Sequence, residues 1–374
     1  MMKQKAENGQ LHNEQGTSRE TSYELLRILA MCMIISLHYL SKGNVLTSLA
    51  DSGKMNAAEV AAWVVEALCL PAVNVYVLIS GYFGRSGSFR MSKVIRLWGT
   101  AIFYSVGITL ILGMTGNLTT AQGTMAVSEL TIYDWMNVVF PVVTEEYWFL
   151  TAYLILYLFM PFLNAGMEKI SQKDFRRILI SLLIFFSVAK SVLPMQLPTD
   201  HKGYDVLWFV CLYLLGGYFG RYGCKVFERL WSSALLYLLS ALGIVGLAFG
   251  ARHLYLTKGM LADFALTNYF YTYNHILCLT ASIGLFGMFT RLHMKKQKLS
   301  GCICYAASCT MAVYLIHEQL YLRYLWPKWF GVQKQAGSFM FLPHMLVTVV
   351  CVFLVCTAVE SIRKRIVRCI WHRR

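Results

Sequence analysis

Ten apolar stretches, each long enough to cross a bilayer, constrain the fold of this chain more than any other feature. A helix needs about 20 apolar residues to span the roughly 30 Å of hydrocarbon in a bilayer core. The stretches lie near residues 22–42, 58–82, 93–114, 146–166, 176–194, 204–221, 230–250, 267–290, 302–324 and 340–360. They predict an all-α polytopic membrane protein, built as a single bundle of about ten transmembrane helices.

The composition argues against an ordinary soluble protein. Only 14% of the residues are charged, whereas a soluble domain has about 25%. Residues 1–20 are polar and lack the apolar core of a signal peptide, so we expect a short disordered cytoplasmic tail there. Residues 21–362 then form one membrane domain without a visible internal repeat, and residues 363–374 form a basic cytoplasmic tail.

Basic residues are concentrated in alternate loops and in both tails, whereas residues 115–144 contain no lysine or arginine. The positive-inside rule therefore places both termini in the cytoplasm. Membrane topology also explains the net charge of +15, so we expect lipids and no nucleic acid as partners. The eleven cysteines are scattered through apolar segments, and neither they nor the histidine spacing predict a metal site.

Arg27 and His38 are the most informative polar residues, because both lie in the first apolar stretch. In a helix, residues eleven apart share one face and lie about 16 Å apart along the axis. A charged residue near the bilayer centre costs about 2.5–3.5 kcal/mol. Either Arg27 snorkels or pairs with Glu24 while His38 packs near the outer interface, or both residues line a functional site.

The predicted topology brings further ionisable residues to the outer half of the bundle. Glu145 and Glu146 precede the fourth stretch, His275 lies early in the eighth, and His317 and Glu318 lie in the ninth. The acidic pair also suits a helix N-terminus for ordinary dipole reasons. His317 and Glu318 would project about 100° apart on a helix, so their adjacency does not make them act together.

Four segments, in order, resemble acyltransferase family 3, integral membrane proteins that O-acylate bacterial surface glycans. The family carries a basic residue, ten intervening residues and a histidine in its first helix, as Arg27 and His38 do. "VYVLISGYFGR" with "FRMSKVIRLW" resembles its serine-glycine turn and basic second loop. "YWFLTAYLILYLFMPFLN" resembles its fourth-helix motif, and "ASCTMAVYLIHEQLYLR" its ninth-helix motif ending in Leu-Ile-His. The resemblance covers nearly the whole chain after residue 20.

The chain departs from the family pattern in the fourth-helix region. Many members place Glu-Glu after a Trp-Ser/Thr-Leu pattern, whereas here Glu145 and Glu146 precede the tryptophan. This order is similar to the branch that acts on polysaccharides without a fused extracellular domain.

The resemblance implies a transferase of acyl groups other than aminoacyl groups, namely a multi-pass O-acetyltransferase of the bacterial inner (plasma) membrane. Its donor substrate would be acyl-CoA, with acetyl-CoA as the expected form and no permanently bound cofactor. Its acceptor would be a hydroxyl of an exported or cell-surface polysaccharide, or of a lipid-linked glycan. The sequence leaves the acceptor's identity and the oligomeric state open.

The resemblance also implies roles for individual residues. Arginine suits phosphate recognition, and the expected donor-binding residues are Arg27, Arg90, Lys93, Arg96 and Ser80. The expected catalytic residues are His38, His317 and Glu146. His38 would act as general base or carry the acyl group, and His317 would stabilise the oxyanion or position the acceptor.

A membrane carrier for lipid-linked saccharide or another small solute is the alternative. A carrier predicts repeat symmetry or broken helices, and the sequence shows neither clearly, although "LLGGYFGRYG" is rich enough in glycine to bend. Some family members are membrane domains of serine racemases linked to vancomycin resistance. Family membership alone therefore does not establish glycan acylation.

Overall fold

A computed structural model describes residues 2–49, 51, 53–84, 89–193, 201–292 and 297–371. Within these residues, helices account for nearly all regular structure. The exception is a short antiparallel hairpin in which β1 (Leu118–Thr119) pairs with β2 (Thr124–Met125). The predicted all-α class is confirmed.

The helices follow one another with mostly short connections. In chain order they are α1 (Met2–Lys42), α2 (Ala57–Cys69), α3 (Ala72–Phe83), α4 (Met91–Met114), α5 (Ile132–Val139), α6 (Trp148–Lys169), α7 (Gln172–Leu183), α8 (Ala189–Val192), α9 (Val206–Tyr222), α10 (Leu230–Lys258), α11 (Ala262–Leu266), α12 (Ile276–Thr290), α13 (Gln297–Ala307), α14 (Thr310–His317), α15 (Leu322–Trp329) and α16 (Phe341–Trp371). A π-helical stretch, Ile184–Val188, joins α7 to α8.

Six stretches in the described part of the chain are long and apolar enough to cross a membrane. They are Thr21–Lys42, Ala57–Phe83, Met91–Met114, Trp148–Lys169, Leu230–Lys258 and Phe341–Ile370. The helices α13 and α14 are apolar enough only when taken together, and they are bent by 43° at their junction, so they form either a broken seventh span or a re-entrant loop. The helices α9 and α12 are apolar but shorter. The count of ten spans, the cytoplasmic termini and the tails at residues 1–20 and 363–374 stay predictions.

The helix α1 occupies the middle of the bundle. It contacts α2, α3, α12, α13, α14, α15 and α16. Leu26, Ala30 and Ile35 on this helix are completely buried. A helix packed on most sides is expected to be apolar all round, so its polar side chains need partners or a cavity.

Glycines allow α3 and α9 to pack backbone against backbone. Gly216 and Gly220 are four residues apart on α9, the spacing that membrane helices use for close approach. A Cβ atom at Gly216 would collide with the carbonyl oxygen of Leu78, and one at Gly220 would lie 2.7 Å from that of Tyr82. The glycine-rich segment that suggested a bend in the sequence lies in one continuous helix, Val206–Tyr222.

Asn74 ties three helices together in the buried interior. Its amide nitrogen donates hydrogen bonds to the carbonyl oxygen of Tyr273 at 2.9 Å and to Oγ of Ser282 at 3.2 Å. Its amide oxygen accepts one from Nε1 of Trp208 at 3.1 Å. Because its polar atoms have partners, Asn74 holds α3, α9 and α12 in register and needs no ligand.

The ninth predicted span is not one continuous helix. It is interrupted at residues 308–309, between α13 and α14, and α14 ends at His317. Side chains from elsewhere bind the carbonyl groups near this end. Trp326 Nε1 donates to the carbonyl of His317 at 3.1 Å, and the Tyr147 hydroxyl donates to that of Leu315 at 2.9 Å. They satisfy carbonyls that a helix C-terminus leaves without intrahelical partners. The sequence did not indicate this break.

Candidate active site

His38 and His317 meet at the end of the bundle that the charge pattern places outside. Nδ1 of His38 on α1 lies 3.0 Å from Nε2 of His317, the last residue of α14. His317 is only 1% exposed. Two histidines identified separately in the sequence therefore form one hydrogen-bonded pair.

The hydrogen bonds of this pair assign its tautomers when both rings are neutral. Nδ1 of His317 lies 2.6 Å from the carbonyl oxygen of Val313, which only accepts, so this nitrogen carries the proton. Nε2 of His317 then accepts, and His38 donates from Nδ1. The nitrogen that keeps a free lone pair is therefore Nε2 of His38, and the ring of His38 lines the adjacent cavity.

Glu318 completes the group. Its Oε2 lies 3.1 Å from Nδ1 of His38, and the residue is 6% exposed. On a continuous helix, His317 and Glu318 would diverge. Because α14 ends at His317, Glu318 is the C-cap, with φ −98° and ψ 11°. This helix end lets two consecutive residues approach the same imidazole ring.

Arg323 connects Glu318 to Glu146. One guanidinium nitrogen lies 3.2 Å from Oε2 of Glu146 and another lies 3.6 Å from Oε1 of Glu318. The sequence analysis assigned no role to this arginine, although the segment that resembles the ninth-helix motif extends to it. A signal was present, since an arginine within a predicted span is costly without acidic partners and both glutamates were expected on the same side.

A cavity of about 550 Å³ lies beside this group. Its ionisable lining residues are His38, Lys42, Glu66, Glu145, Glu146, Glu318 and Arg323. Its aromatic lining includes Trp148, Tyr204, Tyr271 and Tyr273. Apolar and aromatic walls with a few convergent polar groups are typical of a small-molecule site.

Two further cavities lead from this one toward the end of the bundle that the charge pattern places inside. The second, of about 660 Å³, shares Tyr76, Phe149, Thr310 and Met311 with the first. The third, of about 700 Å³, shares Arg27, Ser80, Phe83, Lys93 and Tyr153 with the second. Because neighbouring cavities share lining residues, they form a line from the basic residues Arg27, Arg90 and Lys93 to His38.

Four of the five residues predicted to bind the donor line the two inner cavities. Arg27, Ser80 and Lys93 line both, and Arg90 lines the third. Arg96 is exposed on α4 and is not among the residues that line the cavities in the described part of the chain. The prediction for Arg96 therefore rests on the sequence alone.

Arg27 combines two of the possibilities that the sequence left open. Its guanidinium pairs with Glu24, as the spacing of three residues allowed, and it also lines the inner cavities. The Tyr76 hydroxyl donates a 2.6 Å hydrogen bond to the backbone carbonyl of Arg27. The pairing with Glu24 leaves Arg27 in contact with the space where a ligand would bind.

His275 belongs to the packing rather than to the site. It is the N-cap of α12, where its Nδ1 accepts a 3.2 Å hydrogen bond from the backbone amide of Leu277. Its ring packs at 5.6 Å from that of Phe270. Of the outer histidines predicted on the eighth and ninth stretches, only His317 reaches His38.

His38, His317 and Glu318 also bring three ligand-type atoms within 4.8 Å of one another. Nitrogen and carboxylate ligands of this kind suit zinc. The guanidinium of Arg323, however, lies 3.6 Å from Glu318, and its positive charge disfavours a divalent cation there. The hydrogen-bonded network accounts for these three residues without a metal.

Comparison with known proteins gives one family. A family model described as an acyltransferase domain, that of acyltransferase family 3, matches residues 20–360. Neither the curated proteins nor the solved structures contain a match to the chain.

Proposed function

The chain belongs to this acyltransferase family, and we propose that it moves an acyl group, acetyl in the simplest case, from cytoplasmic acyl-CoA to a hydroxyl of a cell-surface or exported polysaccharide. The observation that carries the proposal is the position of the His38–His317 pair. It lies at one end of a line of cavities whose other end is basic. Donor recognition and acceptor activation would therefore occur at opposite ends of the same path.

The inner cavities supply what a CoA thioester needs. Arg27, Arg90 and Lys93 offer positive charge for its phosphates, and guanidinium groups bind phosphate in a bidentate manner. The pantetheine arm would extend along the cavities toward His38, about 16 Å away along α1. Ser80 lies beside this path, but its hydroxyl already donates to the carbonyl of Tyr76 at 3.0 Å. Arg96 would attract phosphates only from outside the cavities.

His38 would be the general base. Its Nε2 removes the proton of the acceptor hydroxyl while the oxygen attacks the thioester carbonyl carbon. The resulting tetrahedral intermediate loses the CoA thiolate as the carbon–sulfur bond breaks, and the proton on His38 passes to that sulfur. The products are an O-acyl sugar and CoA with a free thiol. Walls of packed helices limit access of water, which would otherwise hydrolyse the thioester.

The geometry favours positioning roles for the neighbouring residues. His317 accepts the hydrogen bond from His38, which orients the imidazole for proton transfer. Glu146 holds Arg323, which in turn holds Glu318 beside His38. The sequence analysis expected His317 to stabilise the oxyanion or to position the acceptor, whereas this arrangement supports a different role, orientation of the base.

The test compares wild type with His38→Ala in the same membranes. One assay follows release of CoA from acetyl-CoA in the presence of a surface-glycan extract, and mass spectrometry counts O-acetyl groups on the glycan. We expect wild type to produce both and His38→Ala to lose them by about 10²–10⁴-fold. The matched control is His253→Ala, which removes an exposed histidine on α10 and should leave both signals unchanged.

A folded His38→Ala protein with full activity would contradict the proposal. The bend between α13 and α14 is similar to the broken helices expected of carriers, so the carrier hypothesis has its own outcome. Wild type would then turn over no acyl-CoA, while cells that lack the protein would mislocalise an unmodified saccharide.

A further inference from the structure

Glu66 is a polar residue of the cavity beside His38, and the proposed acyl transfer does not use it. It lies on α2 and lines the cavity together with His38. Its Oε2 is shielded from solvent and accepts no hydrogen bond from the described residues. An unsatisfied buried acceptor costs about 1–3 kcal/mol, and more when it is charged. A ligand that donates a hydrogen bond at this position would remove the cost.

Aromatic rings line the same cavity as Glu66. Tyr204, Tyr271 and Tyr273 are among the residues that form its wall. The Trp148 ring centroid lies 4.4 Å from that of Tyr204 and 5.7 Å from that of Tyr273. These side chains come from different parts of the chain, so only the tertiary structure brings them together into one wall. It offers flat apolar surfaces in the same cavity as the unpaired Oε2 of Glu66.

The charge of the lining distinguishes between kinds of ligand. Four carboxylates line the cavity, those of Glu66, Glu145, Glu146 and Glu318, against two cations, Lys42 and Arg323. Arg323 is paired with Glu146 and Glu318, and the carboxylates outnumber the cations. A negatively charged sugar would meet like charges, which disfavours binding. A neutral sugar ring carries C–H groups on its faces and hydroxyl donors at its edge, and so matches both the rings and the acceptor.

We propose that Glu66, Trp148, Tyr204 and Tyr273 form the subsite for a neutral pyranose of the acceptor. The sugar face stacks on the aromatic wall, and one hydroxyl donates a hydrogen bond to Oε2 of Glu66. This inference rests on the proposed function, because it names the kind of sugar that the acyltransferase recognises. Glu66 is a specificity residue and takes no part in the transfer of the acyl group.

The binding test needs no donor. The full-length protein in nanodiscs is unfolded thermally with methyl glycosides of neutral glucose, galactose and mannose, and with the corresponding uronic acids. We expect at least one neutral glycoside, and no uronic acid, to raise the Tm of wild type. Glu66→Gln and Trp148→Ala should lose this shift. The control variant Glu228→Gln, which neutralises an exposed glutamate, should retain it.

Two further readouts separate binding from a structural role. Without ligand, Glu66→Gln should be at least as stable as wild type, because it removes an unpaired buried carboxylate. In the transfer assay its KM for the glycan should rise about tenfold, the equivalent of one hydrogen bond. Its KM for acetyl-CoA should stay within twofold of the wild-type value.

Each contrary outcome identifies which proposal fails. Equal Tm shifts in wild type and Glu66→Gln, a shift with the uronic acids, or no shift with any glycoside would overturn the sugar subsite. A lower Tm of unliganded Glu66→Gln would assign the residue to folding instead. If wild type turns over no acyl-CoA but a neutral glycoside raises its Tm through Glu66 and Trp148, the acyl-transfer proposal fails and the sugar subsite stands.

Discussion

At the scale of single residues, the partner of His38 determines what its ring can do. With Nδ1 donating to His317, the basic nitrogen is Nε2, on a ring that lines the cavity. The reverse tautomer would point a proton donor at the ligand and would make His38 a poor base. In the proposed mechanism, the hydrogen bond from His317 Nδ1 to the Val313 carbonyl would therefore fix the tautomer of His38 through His317.

A pair of His317 variants tests this role. His317→Ala removes the acceptor for the Nδ1 proton of His38, and we expect kcat to fall about 10²-fold or more, with little change in either KM. In His317→Gln, the amide oxygen can occupy the place of Nε2, so part of the activity should return. Steady-state kinetics on both substrates decides the matter. If His317→Ala raised only the KM for the glycan, His317 would be an acceptor-binding residue.

At the scale of elements, two departures from regular helices shape the site. The 43° bend between α13 and α14 and the end of α14 at His317 place His317 and Glu318 around one ring. The contact between α3 and α9 depends instead on a continuous helix, α9, that has glycines where the two helices cross. The helix α3 carries Tyr76 and Ser80 on the cavity line, so this contact also fixes the path proposed for the donor.

Substitution of Gly216 tests the close contact of α3 with α9. A leucine there would push against the backbone of Leu78, and overpacking typically costs about 1–3 kcal/mol. We expect Gly216→Leu to lower the Tm in detergent and the yield of monodisperse protein. The matched control is Gly246→Leu, since a Cβ at Gly246 meets no atom within 4 Å. Equal behaviour of the two variants would show that α9 does not need this close approach.

At the scale of the whole molecule, the direction of the path depends on the orientation of the bundle. The basic residues of the inner cavities lie on the side that the positive-inside rule assigns to the cytoplasm, where acyl-CoA is available. The hairpin β1–β2 would then lie outside, on the side of His38. The opposite orientation would separate the proposed phosphate site from its donor.

Reporter fusions measure this orientation. A fluorescent protein fused after Arg374 should fluoresce, and alkaline phosphatase fused there should be inactive, because both report a cytoplasmic C-terminus. Alkaline phosphatase fused after Gln122, in the turn of the hairpin, should be active. Inactive phosphatase after Gln122 together with active phosphatase after Arg374 would reverse the topology and remove the basis for a cytoplasmic donor.

The sequence by itself determined the features that depend on local periodicity. Apolar stretches predicted the all-α class, and six of the ten correspond to helices long and apolar enough to cross a membrane. The spacing of Arg27 and His38 placed both on one helix face, and the two residues line different cavities of one connected series. The family motifs led to the same family that the comparison found. These properties follow from helix geometry and hydrophobicity, so they can be read without knowing which helices are neighbours.

Only the tertiary structure decided which polar groups meet. The pairing of His38 with His317 joins residues far apart in the chain, and the convergence of Glu318 depends on where α14 ends. Arg323 and Glu66 received no role in the sequence analysis. Arg323 matters because it pairs with Glu318, and Glu66 because its buried Oε2 accepts no hydrogen bond from the described residues. Packing of distant helices creates such environments, and helical periodicity carries no information about them.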